Sequence, residues 1–352
     1  MIDEPRHSGV GETSRRRVLT GLLAGATVLI GAPRPATAAP APEAPVAVDI
    51  QARPLAGFEV RDPSRRQFGP LEFRGGLILS SSSRHFGGIS ALKVEAGGAD
   101  FIALTDKAWW LRGRLVYDGT RPAGIADAEI APMLGPDGRT LAARGWYDTE
   151  AIAQDGGTFY VAIERVHRIV RFNYGRDGLL ARATPIAVPA AMRSLPSNRG
   201  VESLIFVPRG LPLAGTLIAF SERGLDKDGN IRGFLIGGPK SGSFTVRRIA
   251  DFDISDAALL PGGDLLLLER KFSWTGGLWL RVRRVALAEV RPDAVLEGSV
   301  LFEVDLGYEI DNMEGLSVHR GAGGEIVLTL ISDDNFSIIQ RTLLLQFTLA
   351  VP

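Results

Sequence analysis

The chain contains no cysteine and only four histidines among its 352 residues. The absence of cysteine excludes a disulfide framework, a thiolate metal site and a cysteine nucleophile. The four histidines are scattered, with no two at ligand spacing, so a histidine-built zinc site is not expected either. Basic and acidic residues number 40 each, and the resulting zero formal charge disfavours broad electrostatic binding to nucleic acid.

Long helical patterns are also missing from the sequence. No stretch keeps a helical period for more than about two turns, whereas 42 glycines indicate many tight turns. The hydrophobic fraction of 45% is enough for a sizeable core. We therefore predict an all-β protein.

The N-terminal apolar run, residues 22–31, is too short for a stable membrane span. It follows the arginines Arg15-Arg16-Arg17 and precedes the small residues Ala36-Thr37-Ala38, an order that is typical of a secretory signal. The arginines with the following Val18-Leu19 resemble a bacterial twin-arginine signal. We expect a protein that is periplasmic or secreted, with an uncleaved N-terminal anchor as the alternative.

The remaining chain follows the predicted signal without a second obvious boundary. Residues 39–46 are rich in alanine and proline, which is typical of a flexible leader. The predicted division has three parts: a twin-arginine-type signal peptide over 1–38, the leader over 39–46, and one domain over 47–352.

A strand-pair pattern occurs five times along this domain. An acidic or hydroxyl residue opens an apolar strand, and the aligned openers are Ser90, Glu150, Glu202, Asp256 and Glu314. A second acidic residue closes the next strand, within the windows 102–107, 161–165, 219–223, 267–270 and 330–335. Because consecutive antiparallel strands place the start of the first and the end of the second at one edge, opener and closer should meet.

A strand-rich repeat of 50 to 60 residues is typical of a β-propeller. The length of the domain predicts a single propeller of six blades, with five as the alternative. The N-terminal strands, near 46–50 and 77–81, either form a sixth blade or complete the last one beside 343–349. In both cases pairing of the N- and C-terminal strands closes the ring and removes exposed edges.

In a propeller, the repeated acids would gather at one axial mouth. Two carboxylates about 7 Å apart repel by roughly 2–3 kcal/mol at an effective dielectric near 20. Bound Ca²⁺, protonation or the basic residue that follows most closers would offset this repulsion. The candidate metal ligands are Glu150, Glu164, Glu202, Glu222, Asp256, Glu269, Glu314 and Asp333. The structural alternative is that Glu–Arg pairs lock neighbouring blades together.

The same windows resemble the esterase-like activity of phytase family, a β-propeller family of exported bacterial proteins. The resemblance covers residues 86–347, and the stretch 332–336 with 340–342 is its strongest part. The other specific windows are 86–90, 148–152, 198–202, 268–270 and 312–316. The resemblance implies hydrolysis of esters or phosphate esters. A more distant similarity to propeller phytases implies a carboxylate-lined face whose calcium ions bind phosphate and activate water.

The predicted function is therefore an exported, calcium-dependent hydrolase of phosphate esters or related esters, in which metal-bound water is the nucleophile. The arginines expected to hold the substrate anion in bidentate fashion are Arg165, Arg223, Arg270 and Arg341. The expected partner is a small anionic or phosphorylated substrate, with no nucleic acid and no stable membrane span after signal removal. A closed ring gives no reason to require a second subunit, so a monomer is predicted.

Two other functions stay open at this point. The main alternative is a non-catalytic periplasmic binding module for a glycan, peptide or small anion, with Trp109-Trp110, Trp146-Tyr147 and Trp274 either forming stacking surfaces or packing between blades. A lactonase-type or other metal-assisted hydrolase is the second. A serine hydrolase is disfavoured, because Gly-x-Ser-x-Gly is absent and Ser90 would need His85, His167 or His319 as its partner.

Overall fold

The structure, a computed structural model, describes residues 44–350 of the chain. The predicted signal peptide (1–38) and most of the predicted leader (39–46) lie outside the described residues. None of the helices within 44–350 has the length and apolarity that a membrane span requires.

Strands dominate the described chain. They are β1 (Val46–Ala47), β2 (Gln51–Pro54), β3 (Gln67–Phe68), β4 (Leu71–Ser80), β5 (Ile89–Val94), β6 (Asp100–Thr105), β7 (Trp109–Asp118), β8 (Arg121–Pro132), β9 (Thr149–Asp155), β10 (Thr158–Ile163), β11 (Arg168–Phe172), β12 (Thr184–Pro185), β13 (Val201–Phe206), β14 (Leu217–Leu225), β15 (Ile231–Ile236), β16 (Gly242–Val246), β17 (Asp253–Leu259), β18 (Leu265–Ser273), β19 (Gly277–Val285), β20 (Val295–Leu296), β21 (Ser299–Asp305), β22 (Met313–Arg320), β23 (Ile326–Ser332) and β24 (Thr342–Leu349). The helices are one-turn segments, α1 (Tyr174–Asp177) and α2 (Ala190–Arg193), and the 3₁₀ turns are Ala142–Arg144, Glu164–Val166, Gly178–Leu180 and Leu287–Glu289.

The strands form five sheets, which are the blades of a β-propeller. Blade one contains β5 to β8, with β1 added at its outer edge, and blade two contains β9 to β12. Blade three contains β13 to β16 and gains β20 by parallel pairing with β16. Blade four contains β17, β18, β19 and β21. Blade five contains β22, β23 and β24 from the C-terminus, followed by β4 and β2 from the N-terminus.

The N- and C-terminal strands close the ring, as the sequence predicts. Strand β4 pairs antiparallel with β24 along nearly its whole length, and β2 then pairs with β4. The structure therefore has five blades, the alternative number, and not the preferred six. The reason is that the N-terminal strands pair with the exposed edge of β24 and so join blade five, and they do not form a sheet of their own.

The core lies between the blades, around a ring of innermost strands. Strands β5, β9, β13, β17 and β22 each contact the innermost strands of the two neighbouring blades. Five apolar clusters form, and each combines side chains from two adjacent blades. This arrangement explains why the second strands are continuously apolar: residues 265–268 of β18 are four leucines, all fully buried between neighbours.

The third strands are less uniform than their basic–apolar alternation suggests. In β11 the arginines Arg168 and Arg171 are exposed, as expected for a strand with one wet face. In β19, however, Arg281 and Arg283 are buried, at 4% and 0% exposure. A buried guanidinium needs a charged partner, and that partner turns out to be one of the predicted mouth acids.

Candidate functional site at the propeller mouth

A β-bulge lies near the start of every innermost strand. At this point the pairing register between the innermost strand and the second strand shifts by one residue. One residue of the innermost strand is therefore left without a partner. The skipped residues are Ser90, Glu150, Glu202, Ser255 and Glu314. A bulge of this kind redirects a side chain, and here it brings the three glutamates together at the axis.

The closing residues lie at the same edge, each one position after the second-strand residue that pairs with the residue preceding the bulge. By register they are Asp106, Glu164, Glu222, Arg270 and Asp333. Together with the bulge residues they form two layers around the axis, which we call the mouth. The second layer contains four acids and a single arginine.

Blade four is one residue out of step with the sequence alignment. Its bulge residue is Ser255, not the predicted Asp256, so Asp256 lies one pair deeper, opposite Leu268. There its carboxylate accepts hydrogen bonds from the backbone N–H groups of Leu316 (2.7 Å) and Ala257 (2.8 Å). Burial raises the pKa of Asp256 to about 7, although the charge of Lys93 opposes the shift.

The same offset removes Glu269 from the mouth. Glu269 is fully buried and forms an ion pair with Arg283, which is also fully buried, while Arg281 lies 3.9 Å away. Glu269 is therefore held in a buried Glu–Arg pair between β18 and β19 within blade four, and this pair does not join neighbouring blades as the structural alternative expects. Its neighbour Arg270 takes the place at the axis that an acid holds in the other blades.

Arg270 lies among the mouth carboxylates. Its Nη1 is 2.6 Å from Oε1 of Glu314, and its Nη2 is 3.3 Å from Oε1 of Glu222. It also donates to the side-chain oxygen of Asn312, whose amide donates to Glu314 at 2.8 Å. Burial disfavours the charge on Arg270, but the carboxylates outweigh this effect and raise its pKa.

One arginine cannot neutralise all of these acids. Several of the remaining carboxyl groups have raised pKa values and so hold their protons to higher pH. Burial raises the pKa of Glu150 and of Glu202 well above the usual range, and the charges of nearby mouth acids raise both further. Burial also raises the pKa of Glu164, which accepts a 2.6 Å hydrogen bond from the N–H of Gly200. Any Cβ at residue 200 would overlap the Glu164 side chain, so glycine is required there.

Two aspartates from neighbouring blades complete the mouth with different proton affinities. Burial raises the pKa of Asp106 to about 6 and that of Asp333 to about 8. The charge of Glu314 adds to both shifts, and Asp106 adds to that of Asp333. The Oδ1 atom of Asp106 is buried and accepts no hydrogen bond from the described residues. The mouth thus contains a carboxylate oxygen without a hydrogen-bond partner in the described chain and a carboxyl that stays protonated near neutral pH.

The structure brings six of the predicted ligands together and adds two acids that sequence reasoning missed. The six are Glu150, Glu164, Glu202, Glu222, Glu314 and Asp333. The additions are Asp106 and Asp148, whose charges act on these groups. Both stand in the repeated windows: Asp106 is the closer of blade one, and Asp148 precedes its opener by two residues. Strict use of the repeat would have included Asp106.

The four predicted substrate-binding arginines have different surroundings. Arg223 forms an ion pair with the buried Asp253, and Arg341 pairs with Glu309 at 2.7 Å. Arg270 is held by mouth acids, as described. Arg165 has no carboxylate within ion-pair distance in the described chain, and its guanidinium carbon lies 4.4 Å from the ring centre of Tyr147.

The arrangement around Ser90 does not resemble a serine nucleophile with its base. The hydroxyl of Ser90 donates a 2.5 Å hydrogen bond to the backbone carbonyl of Thr149. His85 instead stacks on Trp109, with ring centres 3.9 Å apart. The geometry agrees with the expectation that a serine hydrolase is disfavoured.

Fold and mouth together define a phytase-like β-propeller with an axial carboxylate site. A family profile described as "Phytase-like: Esterase-like activity of phytase" matches residues 84–336. The chain belongs to this family, and the resemblance seen in the sequence is confirmed. A comparison with curated proteins found no match.

Several solved structures are similar to this chain at a low level. The PQQ-bound aldose sugar dehydrogenase of Streptomyces coelicolor is 14% identical over 77% of this chain and 98% of its own, with a TM-score of 0.42. A nidogen/laminin complex gives 12% identity, coverage of 76% and 86%, and a TM-score of 0.39. The RRP9 WD40 repeats are 10% identical over 80% of this chain and 99% of their own, with a TM-score of 0.35. Similarity at this level bears on neither the substrate nor the chemistry of this chain.

Proposed function

We propose that the protein is an exported hydrolase of phosphate esters or related esters, and that the mouth is its active site. The observation that carries the proposal is the position of Asp106 and Asp333 in one acidic cluster, where burial and neighbouring charges raise the pKa of Asp106 to about 6 and that of Asp333 to about 8. Environments that separate the pKa values of two neighbouring acids are typical of an acid–base pair. Export is proposed from the N-terminal sequence, and hydrolysis from the family.

The proposed reaction uses these two groups in complementary roles. Ionised Asp106 accepts a proton from water as the water oxygen bonds to the phosphorus or acyl carbon. Protonated Asp333 donates its proton to the leaving oxygen as the ester bond breaks. The product alcohol and acid depart, and exchange with solvent returns the proton from Asp106 to Asp333.

Arg165 is the arginine best placed to hold the anionic part of the substrate. It follows the mouth residue Glu164, it is exposed, and stacking on Tyr147 orients its guanidinium. Its charge also opposes the rise in the pKa of Asp148 that burial causes, so it acts on the mouth. A bidentate contact from this fork would orient a phosphate or carboxylate.

The calcium ion expected from the sequence stays a proposal, and it has no role in these steps. Carboxylate oxygens are suitable calcium ligands, and a cation would offset the charge of the mouth. However, among residues 44–350 no three His, Asp or Glu side chains form a group arranged to hold a metal ion. Arg270 already supplies a positive charge there. The residues as placed do not form a calcium shell, so no step is routed through the ion.

The test is hydrolysis of 4-nitrophenyl phosphate and 4-nitrophenyl acetate by chelator-treated protein, with and without added calcium. We expect turnover with a bell-shaped pH profile whose limbs follow the two aspartates. Asp106→Asn and Asp333→Asn should each lower kcat by about 10²–10⁴-fold. Arg209→Gln, which removes an exposed arginine outside the mouth, should have no effect.

The controls separate the parts of the proposal. Unchanged kcat in both aspartate variants would remove the reaction from the mouth. No turnover of either ester, with or without calcium, would refute the hydrolase. Turnover that appears only with calcium would show that the ion takes part in the chemistry and would overturn its passive role.

A second candidate function is a non-catalytic binding module, and an exposed aromatic pair favours it. Trp274 is 95% exposed and Phe272 is 63% exposed in the hairpin that β18 and β19 form, and their ring centres lie 5.5 Å apart. Exposed aromatic faces suit stacking on a sugar or peptide. By contrast, Trp110 is fully buried. Glycan binding that is lost in Trp274→Ala, in a protein without esterase turnover, would support this function.

A further inference from the structure

A cavity on the outer edge of blade two is separate from the mouth. Its volume is about 660 Å³, and no mouth residue lines it. Its walls come from β10, β11, β12 and the α1 region, and its polar lining includes Thr158, Arg171, Arg176, Asp177, Arg182 and Thr184. We call it the arginine groove.

The groove is positively charged. Arg176 is bound to its neighbour Asp177 through two hydrogen bonds, of 2.9 Å and 2.7 Å. Arg171 and Arg182 have no carboxylate within 4 Å among residues 44–350. Three guanidinium groups and one carboxylate leave a net charge of +2 on the lining.

The fold fixes the backbone from which both free arginines project. Arg171 lies between the buried Val170 and Phe172 on β11, and its Cα is paired with that of Thr184 on β12. Since alternate residues of a strand point to opposite faces, burial of its neighbours directs Arg171 outward. Arg182 lies two residues before Thr184, so the two arginines start from adjacent segments of backbone.

Arg182 is held in the same way, with a further contact at its guanidinium. It lies between the buried Ala181 and Ala183, and the N–H of Ala183 donates to the carbonyl of Leu134 at 2.8 Å. A Cβ at Gly138 would lie only 3.1 Å from the guanidinium carbon of Arg182. The loop backbone thus packs along one side of the guanidinium and leaves its other side facing the cavity.

We infer that the arginine groove is a binding site for a small molecule that carries a phosphate group. Two arginine forks match the geometry of a phosphate dianion and its charge balances theirs, while the threonine hydroxyls provide further hydrogen bonds. A volume of about 660 Å³ exceeds what the phosphate needs and is within the range of small-molecule sites. The organic part of the ligand occupies the remainder, which Leu180 lines on one side.

The inference is tested by calorimetric titration of the full chain with glucose 6-phosphate, and with glucose and inorganic phosphate as separate probes. We expect saturable binding of both phosphate probes and none of glucose. Arg171→Gln with Arg182→Gln should weaken binding at least tenfold. The matched control is Arg209→Gln with Arg291→Gln, which removes two exposed arginines outside the groove and changes the net charge equally.

The outcomes distinguish the groove from the mouth and from bulk charge. Binding should persist in Asp106→Asn and Asp333→Asn, whatever those variants do to hydrolysis. Equal weakening in the control, or undiminished binding in the groove variant, would overturn the inference, as would absence of saturable phosphate binding. In the unmutated protein, glucose 6-phosphate should protect Arg171 and Arg182 from phenylglyoxal, and failure of that protection would also count against it.

Discussion

Replacement of Arg270 by glutamine should destabilise the protein in a strongly pH-dependent way. Arg270 is the arginine within the mouth, 2.6 Å from Glu314 and 3.3 Å from Glu222. Removing one partner of a buried ion pair typically costs about 3–5 kcal/mol. Because 21% of the Arg270 side chain is exposed, we expect a smaller loss, about 2–4 kcal/mol of unfolding free energy at pH 8.

The pH dependence follows from the direction of the pKa shifts. Burial raises the pKa of Glu314, and Arg270 partly opposes this rise. Without Arg270 the folded-state pKa rises further, so the variant folds with more protons bound. When folding raises the pKa of a carboxyl group, the unfolding free energy of the protein falls as pH increases toward the pKa of the folded state. The deficit should therefore be large at pH 8 and should shrink toward pH 5, where the acids are neutralised by protons.

Urea unfolding followed by circular dichroism at pH 5, 6.5 and 8 measures this deficit. Arg209→Gln is the charge-matched control and should show no deficit at any pH. Combining Arg270→Gln with Glu314→Gln should recover at least about 1 kcal/mol at pH 8 through their coupling. A deficit that is equal at pH 5 and pH 8, or no deficit, would refute the assignment of Arg270 as the counter-ion of the mouth.

Three further predictions concern charge and closure. Asp333→Asn should raise the unfolding free energy at pH 8.5 by on the order of 2 kcal/mol and leave it unchanged at pH 4, because burial disfavours only the ionised aspartate. Equal effects at both pH values in urea titrations would contradict this. Glu269→Gln should cost about 3–5 kcal/mol in the same assay, because Arg283 is fully buried and loses its partner; a loss below 1 kcal/mol would argue against the buried pair. Deletion of residues 44–81 should abolish cooperative thermal unfolding, because β4 no longer covers the edge of β24; an unchanged melting curve would mean that closure contributes little.

Much of the fold is predictable from this sequence because each blade repeats the same strand pair. The apolar second strands, the turn-rich texture and the acid at each strand end together predict a propeller. The blade number is harder, since it depends on whether the N-terminal strands pair with each other or with β24. That choice is made by long-range hydrogen bonding along residues 71–80 and 342–349, which no local pattern encodes.

The repeat in the sequence predicts that acids from the blades meet at one mouth, but it does not predict which residue of blade four reaches that mouth. Sequence alignment places Asp256 and Glu269 with the other acids, yet the bulge in blade four falls on Ser255 and moves each by one position. Because side chains alternate between faces, a shift of one residue sends Arg270 to the mouth and Glu269 into the interior. The preference of Glu269 for the buried Arg283 becomes visible only in three dimensions.

The proton-holding mouth is most directly tested by carbon-13 NMR of the protein with labelled side-chain carboxyl groups, titrated from pH 3 to pH 9. Glu150 and Glu202, assigned by their glutamine variants, should titrate well above the usual glutamate range, and Asp333 near pH 8. If all three lose their protons below pH 5, the carboxylates do not meet in a buried cluster, and the proposed acid–base chemistry fails with them.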